Sequence, residues 1–531
     1  MRWIAELRIL IAGVVVLALL SAPATAGMMS GGMMGGGGMG GGGMSGGGCG
    51  GGGMGGGSGS SVIDPPAGAA FRDPANLTDT NPDPNVVEVN LDVKKAMINV
   101  NGVMANLFTY TGQFPGPTIW AKRGDTVKVH FTNSLPATTE KNILGFTRGI
   151  TNLHTHGWHV SPEAPADDAH LAIPPGGSYD YVYDHAFQES GTLNFYHAHS
   201  HGLVAEQHWG GLGGALVEAD SAAEAAVLGQ YEAHLMYLKD ISLSGNEPTP
   251  YTSTMEYMNG KEGNTVMING QVNPVMTMRP GQVQRWRIVN GCNARFYRLS
   301  LQGHQLHVIG TDGGLLDKPY AQSEIILAPG ERVDLLVKAS TTAGTFKLYS
   351  MPYNRGMMSS SAQITMMTVQ VKGTKLDQPL PKTVNPAAVS MRGMDTSMLP
   401  KKTFTLSMSM GRGYINGQDF DVNPYTTMST VGTYEVWTID NPTMMDHPFH
   451  QHVNPAQILS ISGGDDKYRA LYTTTPSWKD TIIVPKGGSV TMLVPVKDYT
   501  GTTMFHCHIL EHEDIGMMGM WHIMDGGMPP M

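Results

Sequence analysis

The stretch FHCHILEHEDIGMM, Phe505 to Met518, puts one cysteine between two histidines, a third histidine five residues beyond that cysteine, and a methionine five beyond that. Cys507, His512 and Met517 offer a thiolate, an imidazole and a soft thioether at the loop spacing of a blue-copper centre, which needs one more imidazole from elsewhere in the chain. In a strand, successive side chains face opposite sides, so His506 and His508 share a face and Cys507 points away from them. The cysteine can then hold one metal while its neighbours hold others a few bonds away.

Three more clusters supply the remaining donors: Asn152-Leu-His-Thr-His-Gly157, Phe195-Tyr-His-Ala-His199 and Asp446-His-Pro-Phe-His-Gln-His452. By the same parity His154 pairs with His156, His197 with His199, and His450 with His452. His447, three residues before His450, falls on the opposite face, which makes it the missing imidazole for Cys507.

One His-x-His is weak, because strand histidines are often simply hydrogen-bonded. All four clusters in this order, the last carrying His-Cys-His, resemble the multicopper oxidases, the family of laccases, ascorbate oxidase and bacterial cuprous oxidases, over residues 88 to 525. The resemblance implies four copper ions. Type 1 copper falls to His447, Cys507 and His512 with Met517 axial, and type 2 copper to His154 and His450. The type 3 pair falls to His156, His197, His199, His452, His506 and His508. Half of the 20 histidines are then ligands. His130, His159, His170, His201 and His208 read as structural or as orienting a ligand.

A chain of 531 residues predicts several domains, and an internal repeat locates them. Gly112-Gln113 is followed by Gly124 and Asn133, Asn269-Gly-Gln271 by Gly281 and Asn290, and Asn416-Gly-Gln418 by Gly432 and Asn441. Between the last two positions run alternating strands such as Thr126 to Phe131 and Tyr434 to Ile439. One β-unit is used three times, giving an all-β chain of three β-sandwiches; the resemblance names them cupredoxin-like Greek-key domains. Their expected bounds are 88–222, 230–372 and 401–525, with 373–400 as a linker. In the middle copy His304 and His307 mimic the spacing of His447 and His450, but the strand Gly344 to Met351 carries no histidine or cysteine, so that domain should be copper-free. The cluster's ligands then come from the first and third domains, which must pack together. Gly191 to His197 is one residue longer than Gly501 to His506, which predicts a bulge in that strand.

Before residue 88 the pattern changes. Arg2, Arg8, the apolar run Ile9 to Leu20 and Ala24-Thr-Ala26 read as a secretory signal peptide cleaved after Ala26, so the expected location is periplasmic or extracellular. The run is too short to span a membrane. Residues 27–60 are almost entirely glycine with Met28, Met29, Met33, Met34, Met39, Met44 and Met54, a composition that cannot build a core. They read either as a flexible tail or as thioethers attracting Cu(I). Residues 61–85 read as a linker, so that 27–87 forms a disordered tail and linker. Cys292 reads as a small buried thiol, a Cys49–Cys292 disulfide being the alternative. The net charge of −10 argues against nucleic acid or an anionic membrane as partner. A monomer is expected.

The resemblance implies four one-electron oxidations at type 1 copper coupled to reduction of O₂ to water at the three-copper cluster. Glu513 matches an acid that relays protons in similar bacterial enzymes. Asp167 is read as the second acid, with Asp168 in reserve. Methionine is abundant, at 37 residues, and groups at Met351, Met357, Met358, Met366 and Met367, at Met391, Met394 and Met398, and at Met444 and Met445. That grouping resembles the methionine-rich segments of bacterial cuprous oxidases, and the resemblance implies Cu(I) as reductant; phenols, Mn(II) and a methionine-rich copper-sequestering role are the alternatives.

Overall fold

The computed structural model describes residues 62–357 and 362–526. The expected signal peptide, the glycine- and methionine-rich residues 27–60, with Cys49 among them, and Met358 lie outside the described residues.

Three β-sandwiches follow one another. In the first, the sheet ordered Val103–Tyr110, Val86–Val100, Thr126–Asn133, Ser178–Asp184 faces the sheet ordered Gly116–Ala121, Gly213–Glu218, Leu193–His197, His154–His156. Strand Thr126–Asn133 shows why: Val127, Val129, Phe131 and Asn133 are buried while the residues between them are not, the period of a strand with one face on a core. The second sandwich is built on Glu232–Ile241, Val283–Asn290 and Arg332–Lys338 in one sheet and Gly344–Ser350 and Gln363–Val371 in the other. In the third, Lys401–Ser409, Tyr434–Asn441 and Gly488–Pro495 lie in one sheet, and Met518–Met524, Gly501–Cys507, His447–Gln451 and Thr481–Val484 in the other.

The repeat positions do the same job in each sandwich. Thr111-Gly112, Asn269-Gly270 and Asn416-Gly417 all have positive φ, and the residues flanking each pair are bridged, Tyr110 to Gln113, Ile268 to Gln271 and Ile415 to Gln418. These are two-residue hairpins of the type that needs two left-handed residues. The repeat asparagine closes each unit. Asn133 Nδ2 donates to the Gly149 and Ile173 carbonyls at 2.8 and 2.9 Å; Asn290 donates to Arg295 and Leu327, both at 2.9 Å; Asn441 donates to Met445 and Val484 at 2.8 and 2.9 Å. Each side chain donates to two backbone carbonyls at once and so ties two neighbouring segments together.

Three expectations are corrected. Strand Leu193–His197 pairs in regular register with both neighbours, so there is no bulge; the extra residue is taken up in the turn at Gly191-Thr192, before the strand begins. Residues 62–85 are not a loose linker. Val62–Ile63 adds a parallel strand to Gln363–Ile364, and Ala70 and Asn76 bridge Val275 and Thr118, so this segment ties the second sandwich to the first. Its apolar and amide groups find partners that a composition of proline and aspartate does not reveal. The 373–400 connection is likewise packed, with Val384 buried and Arg392 Nε donating to the Ile458 carbonyl at 2.8 Å.

Cys292 is a free, buried thiol 3.2 Å from the Tyr297 hydroxyl. No helix among the described residues is long and apolar enough to cross a membrane.

Candidate metal centres

In the third sandwich His447–Gln451 and Gly501–Cys507 are antiparallel neighbours with Phe449 opposite Cys507 and His450 opposite His506. Directly opposed residues share a face, so His450 and His506 look one way while His447 and Cys507 look the other. In the first sandwich His154–His156 runs beside Leu193–His197 with His154 opposite His197. Two strands per domain therefore carry the donors.

On one side, Cys507 Sγ lies 3.4 Å from His447 Nδ1 and 3.5 Å from His512 Nδ1, with those nitrogens 3.1 Å apart. Each ring is turned inward by its outer nitrogen: His447 Nε2 meets Thr443 Oγ1 at 2.9 Å, and His512 Nε2 lies 3.3 Å from the Met258 carbonyl. The Ile509 amide points at the sulfur from 3.5 Å. Met517 is buried, and its carbonyl accepts from the Cys507 amide at 3.0 Å. Burial pushes the Cys507 thiol well above its usual range and holds His447 down at about 3. A thiolate there needs a cation.

On the other side, eight imidazoles converge across the boundary between the first and third sandwiches. His156 stacks on His450 and His154 on His452, at 3.7 and 4.1 Å between ring centroids. His506 Nε2 is 3.3 Å from His199 Nε2 and 3.2 Å from His452 Nε2. The His508 ring lies 4.8 Å from His156 and 5.6 Å from His197 between centroids. Outer nitrogens are again held from outside, His154 Nδ1 by Asp167 at 2.8 Å, His197 Nδ1 by the Ala198 carbonyl at 2.9 Å and His450 Nδ1 by the Asp480 carbonyl at 3.0 Å. Their inner nitrogens are buried with no hydrogen-bond partner: Nε2 of His154, His197 and His450, and Nδ1 of His156. Buried polar atoms are normally paired, so this set is built for metal ions. The donor chemistry, imidazoles with one thiolate, suits copper.

Two carboxylates touch the cluster where expected. Glu513, fully buried, lies 3.1 Å from His506 Nδ1 and 3.4 Å from His199 Nε2. Burial alone would raise its carboxyl, but the His506 and His199 rings hold it at about 2. Asp167 also accepts from the Thr155 amide at 2.9 Å, whereas the reserve residue Asp168 only accepts from the His170 amide. His304 and His307 sit apart, the first accepting from the Ser340 amide at 3.0 Å and the second facing the Leu336 carbonyl; neither belongs to a donor group.

Sequence reasoning missed Asp480. Its carboxylate lies 3.3 Å from His156 Nε2 and is clamped by Arg332 of the middle sandwich. Burial would raise it, yet Arg332 keeps it far below the usual carboxylate range. Lys479 bridges Asp312 and Glu331, both at 2.8 Å. The middle domain thus supplies charges behind the cluster. The only hint in the sequence is Lys479-Asp480 abutting the apolar strand Thr481–Val484.

The low pKa values carry a stability consequence for metal-free protein. His447 and His199 at about 3 and His450 at about 4 lie below the unfolded value near 6.5. As pH falls from 6.5 the unfolded chain binds protons that the native one refuses, so stability falls. Imidazoles lowered by burial outnumber the carboxyls raised by it, Asp312, Glu331, Asp446, Glu511 and Asp514. The urea midpoint of copper-free protein should therefore drop between pH 7 and pH 5; a flat or rising midpoint would contradict these burial shifts.

Family models described as multicopper oxidase match residues 92–222, 231–374 and 384–526, one per sandwich. Multicopper oxidase mco of Staphylococcus aureus is 29% identical over 423 residues, 79% of this chain and 84% of that protein. A laccase of Bacillus subtilis is 27% identical over 79% of this chain and 90% of its own. Among solved structures, a Campylobacter jejuni multicopper oxidase described as a metallo-oxidase superposes with TM-score 0.74 at 27% identity, over 88% of this chain and 98% of that one. McoA from Aquifex aeolicus gives 0.72 at 26%, over 86% and 99%. With every sandwich matched and its relatives matched along most of their length, the chain belongs to the multicopper oxidases and is a copper-dependent oxidoreductase that joins a reductant to O₂.

Proposed function

We propose that the chain holds four copper ions and oxidises Cu(I), one electron at a time, while reducing O₂ to water. His447, Cys507 and His512 form the type 1 centre with Met517 axial. His154 and His450 hold type 2 copper, and His156, His197, His199, His452, His506 and His508 the type 3 pair. What carries this reading is the placement of Cys507 in one donor group and of its chain neighbours His506 and His508 in the other. Bound copper supplies the one-electron steps. The chain supplies a short covalent path between the centres, rings fixed by outer hydrogen bonds, and Glu513 and Asp167 as carboxylates placed to pass protons. A cavity of about 270 Å³, lined by Ile150, Leu171, Ala172, Phe420 and Met504, reaches His199 and suits a small apolar gas.

Methionines around the type 1 group support Cu(I). Met255 and Met258 lie on the helix Thr254–Asn259, whose Met258 carbonyl faces His512. Met444 and Met445 precede His447, and Gly356, beside Met357, bridges Met445. Met255, Met357, Met410 and Met444 are exposed, although burial is the normal fate of a methionine. Exposed soft thioethers suit Cu(I). The laccase relative favours phenols as the second reading. Export to the periplasm or cell exterior, from residues 1–26, belongs to the same proposal.

O₂ uptake by one copper-loaded sample should be fastest with Cu(I), compared with a phenol and Mn(II); faster turnover of the phenol would favour the laccase reading, and no Cu(I)-driven uptake would leave sequestration. Deleting residues 27–60, with their tethered thioethers, should weaken Cu(I) oxidation at low free copper and leave saturated turnover and phenol oxidation unchanged. Identical Cu(I) kinetics at every concentration would make that segment a spacer. Met517→Leu should raise the type 1 reduction potential, since a thioether stabilises oxidised copper more than an alkyl group does. An unchanged potential in a redox titration would remove Met517 from the axial position.

A further inference from the structure

Two of the four His-x-His segments of the cluster end on a residue of positive φ, in turns that close differently: Trp158 N donates to the Thr155 carbonyl at 3.1 Å, whereas Asn454 N donates to the His452 carbonyl at 2.9 Å. His154-Thr155-His156 is followed by Gly157 at φ +92°, and His450-Gln451-His452 by Val453 at φ +59°. Glycine takes such a conformation freely; a β-branched residue is a genuine outlier there and persists only where its surroundings force it. Gly157 has a second reason to be glycine: a Cβ would stand 2.3 Å from Arg332 Nη2 and 2.4 Å from Asn194 Oδ1. Val453 is 6% exposed and packs in the apolar core that runs through the second and third sandwiches.

The force on the Val453 backbone comes from the first sandwich. His159 Nδ1 donates to the Val453 carbonyl, and its Nε2 lies 2.8 Å from Asp498 Oδ2. The ring is buried and lies tilted against Tyr499, 5.1 Å between centroids, and the His159 amide donates to Gln188 Oε1 at 2.8 Å. His159 is therefore fixed independently of the turn that it holds. That turn closes immediately with Asn454 N donating to the His452 carbonyl at 2.9 Å, so the backbone of Val453 sets the direction in which His452 enters the cluster.

We propose that His159 is a positioning residue for His452: it clamps Val453 in the left-handed conformation that the first domain obtains from glycine. It touches no member of the cluster and acts only through the Val453 backbone. The proposal rests on His452 being a copper ligand, and the two can fail separately, because a wild-type protein without cluster copper would sink the ligand reading whatever His159 does.

The test is a cycle of His159→Ala and Val453→Gly in the full, copper-loaded chain. His159→Ala should slow reoxidation of the reduced enzyme by O₂ about tenfold, the scale seen when a group orienting a metal-ligating histidine is removed. Cluster copper should be lost faster to a chelator, measured by metal analysis, while the rate of substrate reduction of the type 1 centre stays the same. In the Val453→Gly background, where no clamp is needed, the same His159→Ala change should cost less than about twofold on both readouts. His159→Gln, whose amide can still donate, should recover most of the loss. If His159→Ala does not accumulate folded, recovery of folded protein by adding Val453→Gly supports the clamp. Equal losses in the two backgrounds, or no loss in either, would overturn it.

Discussion

Cys507→Ser should abolish the intense blue absorption and all substrate oxidation, and lower copper content by one ion per chain. The absorption is charge transfer from a thiolate, and the sulfur is the atom facing both His447 and His512 across 3.4 and 3.5 Å. A serine oxygen is a poor donor for this ion, and the hydroxyl stays protonated in so buried a place. The eight-histidine group lies on the other face of the same strand, and none of its hydrogen bonds uses the sulfur. It should keep its copper, and a chemically reduced sample should still be reoxidised by O₂. A blue band that survives the substitution would remove Cys507 from the type 1 centre, and loss of all copper would show that the two groups do not assemble independently.

How much of this was legible in the chain depends on whether the information was periodic. Strand parity set His447 on the face opposite His450 and His452, and Cys507 on the face opposite His506 and His508, because alternation is a property of the local backbone alone. The repeat asparagines were visible as spacing, although their shared role, two carbonyls held by one amide, needed coordinates. The middle domain illustrates the limit. Lacking donors, it was expected to be copper-free, and nothing in its pattern showed that it sends Arg332 to within hydrogen-bonding reach of Asp480 and, through it, to His156. No pattern in one strand records a charge pair formed between residues of separate sandwiches. The 62–85 segment read as a linker for a similar reason: its composition is that of a loop, while its order comes from edges offered by other strands. The bulge expected before His197 failed because counting residues cannot say whether an extra one enters the strand or the turn ahead of it.

Glu513→Gln should leave copper content and substrate reduction of the type 1 centre unchanged and slow O₂ reduction by about 100-fold, the lower range for loss of a positioned proton-transfer group. Glutamine keeps the size of the side chain and can still hydrogen-bond, so His506 and His199 keep a neighbour, but the amide cannot take and return a proton. Glu513 touches two cluster rings, at 3.1 and 3.4 Å, and it follows His512 directly in the chain. It therefore lies between the two donor groups without belonging to either. With a carboxyl held at about 2 by the His506 and His199 rings, Glu513 stays ionised at neutral pH in the ion-free site. Asp167, against His154 on another side of the cluster, is the second entry, so Asp167→Asn should slow the same phase without touching type 1 reduction. A stopped-flow comparison separates the steps, since anaerobic bleaching by substrate reports the first and reoxidation by O₂ the second. Glu513→Gln with wild-type reoxidation would move the relay elsewhere. Slowing of both phases would instead place Glu513 in the support of His512, through their shared helical turn.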